Sequence, residues 1–193
     1  MEQFSFSYDR LPPSNNNYLK PTISRTAGKT YAYMYETKES KDFKKAFREA
    51  LFREILKQDW DKSITSSDLG HWHLDLEFVQ SNMGEDAHNY LKILLDSMTG
   101  YIYEDDKNIE PRINRVTYNK KNPRFSFTLT RTGYIGLFDT PDDRQELIDK
   151  SCVSCRFYRD GACSILKKMT EGKEVDEYVK EDNACSKFVQ KKK

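Results

Sequence analysis

Hydrophobic and polar positions alternate along several short stretches of this chain and recur at helical spacing along two longer ones. Phe4, Phe6 and Tyr8 alternate with polar residues, which predicts a strand over Gln3 to Tyr8. Tyr31, Tyr33 and Tyr35 alternate with Ala32 and Met34 and predict a second short strand over Thr30 to Glu36. Trp72, Leu74, Leu76 and Phe78 alternate with His71, His73, Asp75 and Glu77, the cleanest strand pattern in the sequence. Arg112 to Tyr118 and Pro123 to Arg131 read as two further strands. In the second of these Phe125, Phe127 and Leu129 alternate with Ser126, Thr128 and Thr130. Asn119-Lys120-Lys121-Asn122 between them reads as a basic hairpin turn. Phe43, Phe47, Leu51 and Ile55 recur at i+4 and predict a long helix from Thr37 to Trp60, with Thr37 or Ser40 as its cap. Tyr90 or Leu91, Leu94 and Met98 form the stripe of a second helix, stopped at Gly100. The order β, β, α, β, α, β, β predicts an α/β (α+β) fold, a mixed β-sheet backed by two helices.

The segments between these elements carry polar chemistry. Leu11-Pro12-Pro13-Ser14-Asn15-Asn16-Asn17 is a loop, because two prolines remove donors and the asparagines suit turns. Ser14, Asn15 and Asn17 can touch phosphates there, or simply form a polar turn. Lys20, Arg25 and Lys29 lie in a Ser/Thr/Gly segment that reads as a mobile basic loop, and Asp61 to Gly70 reads as a polar loop. Lys41, Lys44, Lys45 and Arg48 cluster on the N-terminal half of the first helix. They form either a phosphate-contacting face or an ordinary solvated one. His71, His73 and Asp75 share one strand face, which suits a metal or, more simply, the polar side of a half-buried strand.

Composition narrows the class. Hydrophobic residues are only 37% of the chain, but 12 tyrosines and 11 phenylalanines can build a core from fewer, larger side chains. With 32 basic and 31 acidic residues the net charge is +1, so only local clustering, not the total, can point to nucleic acid. No apolar run approaches the roughly 18–20 residues that span a bilayer. The N-terminus also lacks a basic stretch followed by an apolar one, so a soluble intracellular protein with no membrane partner is expected. The length of 193 residues fits one domain over 1–135, a linker over 136–150 and a small module over 151–193.

Acidic side chains concentrate in Glu85-Asp86-Ala87-His88-Asn89-Tyr90-Leu91-Lys92-Ile93-Leu94-Leu95-Asp96 and again in Glu104-Asp105-Asp106. If a helix starts at about Ala87, His88, Asn89, Lys92 and Asp96 share one polar edge. Carboxylates gathered this way suit a divalent cation, which activates water and stabilises charge on a phosphate, with the lysine nearby to assist. They equally suit a capped, charged helix followed by an acidic turn.

Three segments in order now carry a resemblance to the RusA family of Holliday junction resolvases. They are the Leu11–Asn17 loop, the run Asp86-Ala87-His88-Asn89-Tyr90-Leu91-Lys92 through Asp96, and Gly100 followed by Asp105-Asp106-Lys107-Asn108-Ile109. The resemblance covers about residues 1–132 and implies a Mg²⁺-dependent (or Mn²⁺-dependent) endodeoxyribonuclease that cuts four-way DNA junctions in recombination and repair. It implies that Asp86 and Asp106 are metal-binding carboxylates and Lys92 a catalytic lysine, with Asn89, Asp96 and Asp105 in support. His88 stands where the family pattern has a second aspartate. It can serve as a third ligand, retune the metal towards Mn²⁺ or weaken cleavage, so a non-catalytic branched-DNA-binding protein is the alternative. The resemblance also implies a homodimer, as the two-fold symmetry of a junction requires, with branched DNA and not a small molecule as substrate. On this reading Ser14, Asn15, Asn17, Lys20, Arg25, Lys29, Lys41, Lys44, Lys45 and Arg48 become the DNA surface. A small resolvase with an added module would also fit a mobile or viral genome.

Cys152-x2-Cys155-x7-Cys163-x21-Cys185 uses all four cysteines. In a reducing compartment this pattern favours a structural Zn²⁺ that staples a small core, with a [4Fe–4S] cluster as the alternative for the same ligands. If the acidic stretch is only structural, a zinc-dependent interaction protein remains. The closing Lys191-Lys192-Lys193 either touches DNA or is a solvated tail.

Overall fold

The computed structural model describes residues 3–26, 28–66 and 70–191. Residues 67–69 of the polar segment and the closing Lys192 and Lys193 lie outside the described residues. The chain divides into one unit of Met1–Ile64 with His73–Thr130 and a second of Thr65–Trp72 with Arg131–Lys193.

The first unit is the mixed α+β arrangement that the pattern predicts. Strands β1 (Gln3–Tyr8), β4 (Trp72–Gln80), β5 (Ile109–Tyr118) and β6 (Arg124–Arg131) form one mixed sheet in the order β1-β6-β4-β5. β1 pairs antiparallel with β6, Phe4 opposite Leu129 and Phe6 opposite Phe127. β4 is central because it alternates strictly: Trp72, Leu74, Leu76, Phe78 and Gln80 are buried and the residues between them are more open.

Helix α2 (Lys38–Gln58) lays Phe43, Phe47 and Leu51 against this sheet, all fully buried. Their rings interlock: Phe47 lies 5.9 Å from Phe6 and 5.7 Å from Phe125, and Phe43 stacks on Phe47 at 5.6 Å. Thr37 caps α2, its hydroxyl accepting from the Ser40 N–H. Helix α3 (Leu91–Met98) packs on α2 and buries Ile93, Leu94 and Met98.

Two expected features are corrected. The basic segment around Lys20 and Arg25 is not a loop but strand β2 (Leu19–Thr26), paired antiparallel with β3 (Lys29–Glu36) in a two-stranded ribbon. Thr22, Ile23 and Thr26 favour extended backbone, and Gly28 takes the positive φ of +75° that the tight connection needs. Residues 119–122 do not close a hairpin, because β4 lies between β5 and β6. The chain reaches β5 through α3, and the contacts Arg112 to Asp75 and Asn119 N–H to Gln80 O advance together along β4 and β5. Those strands therefore run in the same direction with α3 as their crossover, as in a βαβ unit. Asn119 Oδ1 accepts from the backbone of Lys121 and Asn122 and turns the chain locally.

In the second unit the stretch 136–150, expected as a linker, contains α4 (Pro141–Leu147), opened at its N-terminus by a capping box of Thr140 and Asp143. Phe138, Leu147 and Ile148 from this stretch pack with Cys152, Leu166 and Met169, the last two on α5 (Ser164–Thr170). A short pair, β7 (Tyr178–Val179) and β8 (Ala184–Cys185), completes the unit. Gly136, at φ +58°, lets the backbone come so close that an added Cβ would lie 2.0 Å from Met169 O.

Phe47→Ala should cost the chain roughly 3–5 kcal/mol, the range for deleting a buried ring. Phe52→Ala, on the exposed side of the same helix, should stay within about 0.5 kcal/mol. Urea unfolding of the two variants measures the difference; equal losses would contradict this packing.

Candidate active site

The Leu11–Asn17 loop ends in one short helical turn, α1 (Asn15–Tyr18), pinned from α2. The Thr37 hydroxyl donates to Asn17 O at 2.7 Å, and the Thr37 N–H donates to Tyr18 O at 3.1 Å. Tyr18 is thereby buried with its hydroxyl aimed at α3. That hydroxyl donates to Asp96 Oδ2 at 2.5 Å and accepts from Lys44 Nζ at 2.6 Å. Lys44 in turn pairs with Glu36 at 3.2 Å. Burial, with Asp96 next, pushes the Tyr18 hydroxyl well above the ordinary tyrosine range, so it remains a donor.

Asp96 collects further partners. Lys92 Nζ lies 3.6 Å from Asp96 Oδ2, one helical turn away on α3. Arg48 reaches from α2 to the end of α3 and donates to Asp96 O at 2.9 Å and Ser97 O at 3.0 Å. Those carbonyls are among the ones the helix leaves without an internal partner, so the guanidinium serves as a C-terminal cap.

Asp86 sits apart from this network. It caps a 3₁₀ turn (Ala87–Tyr90) that leads into α3, so the helix begins later than the spacing implies. His88 turns back on Asp86. Its backbone N–H donates to Asp86 Oδ1 at 3.0 Å, and its ring Nδ1 lies 2.9 Å from the same oxygen. These two contacts hold the exposed Asp86 carboxyl below the usual aspartate range. The Asn89 N–H donates to Asp86 O at 3.0 Å.

Asp105 caps the next 3₁₀ turn (Asp106–Asn108), accepting from the Lys107 N–H at 3.2 Å. It therefore has a structural role in the turn, and Asp106 is exposed beside it at the foot of β5. Tyr103, buried and donating to Leu95 O at 3.0 Å, connects the two acidic segments. Its hydroxyl is raised well above the ordinary range, first by burial and then by the charges of Asp106 and, more weakly, Asp96. Among the described residues no three His, Cys, Asp or Glu side chains are gathered closely enough to hold a metal ion. Asp86, His88 and Asp106 are thus not drawn together as a ligand triad.

The basic residues of α2 do converge. Lys41, Lys44, Lys45 and Arg48 line an open cleft of about 630 Å³ together with Glu36 and Tyr101. Lys41 and Lys45 are exposed, whereas Lys44 and Arg48 are half-buried in the Asp96 network. Asn15 and Asn17 are exposed on the α1 turn and Ser14 is half-buried. Tyr18 and Glu36 were absent from the expected site, although Tyr18 directly follows the asparagine run and that position is the signal that could have found it. The polar face of β4 needs no metal: Arg112 grips Asp75 with two bonds of 2.8 Å, holding that carboxyl low, and His73 lies 3.3 Å from Glu110.

A protein-family model for the endodeoxyribonuclease RusA matches residues 12–130, more than half of the sequence. The chain belongs to the RusA endodeoxyribonuclease family. Among curated proteins none gives a significant match. The RusA-family span begins at Pro12 in the asparagine loop, includes Asp86, Lys92, Asp96 and Asp106, and ends within β6, so the four cysteines fall outside it.

Because its folded-state pKa is depressed, Asp86 contributes stability above the pKa of a free aspartate, and that contribution is lost as pH falls through the folded value. A carboxyl-carbon NMR titration should find Asp86 below the ordinary range, and His88→Ala should return it only part of the way, because the backbone N–H of residue 88 remains. An unmoved titration would show that the imidazole contributes nothing to the shift.

Proposed function

We propose that this RusA-family chain resolves four-way DNA junctions by divalent-metal-dependent hydrolysis of phosphodiesters. The observation that carries this reading is the link from Lys44 through Tyr18 to Asp96, which joins a basic cleft to the acidic helix. A cleft that receives a phosphate backbone beside carboxylates is what such a reaction needs.

The donor chemistry fits a hard cation. Asp86 and Asp106 present exposed carboxylate oxygens, and a magnesium site commonly uses one or two carboxylates and leaves the rest to water and substrate phosphate. Mg²⁺ or Mn²⁺ bound there would supply activated water and charge neutralisation. Asp86 stays anionic through its two contacts from His88. The Lys92 ammonium, more exposed than its partner Asp96, is free to approach a phosphate and balance its developing charge. Asn89, Asp96 and Asp105 hold the segments that carry these groups.

The two-fold symmetry of a junction favours a homodimer with paired sites. Lys20, Arg25, Lys29, Lys41 and Lys45, with Ser14, Asn15 and Asn17, form the proposed DNA surface. The engagement of His88 with Asp86 favours a second reading, a branched-DNA-binding protein without cleavage.

For the second unit we propose a structural Zn²⁺ held by Cys152, Cys155, Cys163 and Cys185. All four line one apolar cavity of about 20 Å³, but no three of them are gathered closely enough to hold an ion as they stand, so binding would have to draw them together. Burial, and after it the other three thiols, pushes Cys152 up to about 11. A bound cation would relieve that burden by taking the thiols as thiolates. A [4Fe–4S] cluster is the competing occupant.

A four-way junction incubated with a series of divalent metals should be cut in paired positions, and Asp86→Asn or Lys92→Ala should slow cutting by about 100-fold or more. Binding without cleavage under every metal would favour the second reading, in which His88→Asp should create activity. Elemental analysis should find one zinc per chain, and chelation should lower the unfolding temperature; iron with visible absorbance would replace zinc by a cluster.

A further inference from the structure

The β2–β3 ribbon has two chemically different faces, and the register sorts them. Tyr31, Tyr33 and Tyr35 are opposite Ser24, Thr22 and Lys20. These residues share one face, because residues that pair across an antiparallel ladder point to the same side. The other face carries Ile23 opposite Ala32 and Pro21 opposite Met34. Tyr31, Tyr33 and Tyr35 are 53%, 52% and 43% exposed, so they form a row of rings open to solvent. Lys20 stands at one end of that row and Lys29 at the other, and no acidic residue lies on this face.

We propose that the tyrosine face of this ribbon is a stacking platform for unpaired nucleobases. The inference rests on the proposed junction-cleaving function and adds the part of the DNA that the ribbon takes. Side chains on alternate residues of one strand lie about 7 Å apart. That spacing suits successive splayed bases, not the stacked interior of a duplex. A ring offers a face to any base without reading its sequence, and lysines beside it track the backbone. At a four-way junction the stack is interrupted where the arms meet, so branch-point pairs open more readily than those inside a linear duplex.

The ribbon is also tied to the acidic helix. Leu19 follows Tyr18, whose hydroxyl is bound to Asp96, and Glu36 ends β3 in its pair with Lys44. Both roots of the ribbon thus grow from the network that joins the basic cleft to α3. A base held on Tyr35 would lie at the root, next to that network. Arg25 is on the opposite, apolar face and is excluded from the platform.

The test uses the full chain in calcium buffer without magnesium or manganese. The probes are a four-way junction carrying 2-aminopurine at its branch point and a linear duplex of the same sequence. The double variant Tyr31→Thr/Tyr33→Thr keeps strand-favouring residues and should bind the junction more weakly by on the order of ten-fold for each ring removed. It should lose most of the 2-aminopurine signal change and leave duplex affinity unaltered. Tyr31→Phe/Tyr33→Phe should behave as the unsubstituted protein, and so should Met34→Thr on the other face. Equal loss on duplex and junction would overturn the platform, as would an undiminished fluorescence change in the threonine variant. A lower sedimenting mass with intact base perturbation would overturn it in favour of a second copy of the chain on that face. Failure of the unsubstituted protein to prefer the junction would instead overturn the junction reading itself.

Discussion

A half-buried aspartate near the C-terminal end of a helix is in an unfavourable place. The helix dipole presents partial negative charge there, and burial removes the water that would compensate. Asp96 tolerates this position because three groups answer it: the Tyr18 hydroxyl, the Lys92 ammonium and the Arg48 guanidinium on the adjoining carbonyls. Each comes from a different part of the sequence, so Asp96 ties the asparagine loop, α2 and α3 together. Tyr18 is in place only because Thr37 holds Asn17 and Tyr18 by their carbonyls while capping α2. Loop, ribbon root and helix start therefore depend on one another, and the basic cleft inherits its shape from them.

Periodicity made much of this frame legible. Phe43, Phe47 and Leu51 on α2 and the alternation of β4 mark the core because burial imposes spacing directly on sequence. The asparagine loop, the Asp86–Asp96 run and the Asp105-Asp106 turn were likewise visible as a family pattern. What the sequence hid was set by partners distant in the chain. Lys20 and Arg25 look like loop residues until Tyr35 and Thr30 pair with them. β5 and β6 look like a hairpin because nothing local reveals that β4 will lie between them. The helix expected to begin at about Ala87 begins at Leu91. Asp86 caps a 3₁₀ turn ahead of it, and the side-chain directions change.

The thiols of the second unit pose a related electrostatic problem with a different answer. Cys152 is buried, and its neighbours within electrostatic range include three more thiols that become anions when they ionise, against one guanidinium, Arg144. Burial raises the Cys152 and Cys185 thiols, and all four cysteines line a small apolar cavity beside Leu147, Leu166 and Met169. The cysteines are thus compatible with packing as they stand, and the proposed ion would have to draw their sulfurs together before it could gain from this pocket.

Asp86 and Asp96 show how one acidic run can be divided between two tasks. Asp96 has its charge consumed by the fold: a tyrosine, a lysine and a cap on the adjoining carbonyls surround it, and its carboxylate has little left for a substrate ion. Asp86 is exposed, and among the described residues its carboxylate meets only His88 in the same turn, so its outer lone pairs face solvent. A carboxylate in that condition can accept a new cation without dismantling a core interaction. Lys92 stands between the two, 3.6 Å from Asp96, and on the proposed reading it would exchange that partner for a phosphate. On the proposed reading one aspartate serves the frame and the other is left to the ion. Helix α3 and its 3₁₀ lead-in separate them because only the first is paired across the fold.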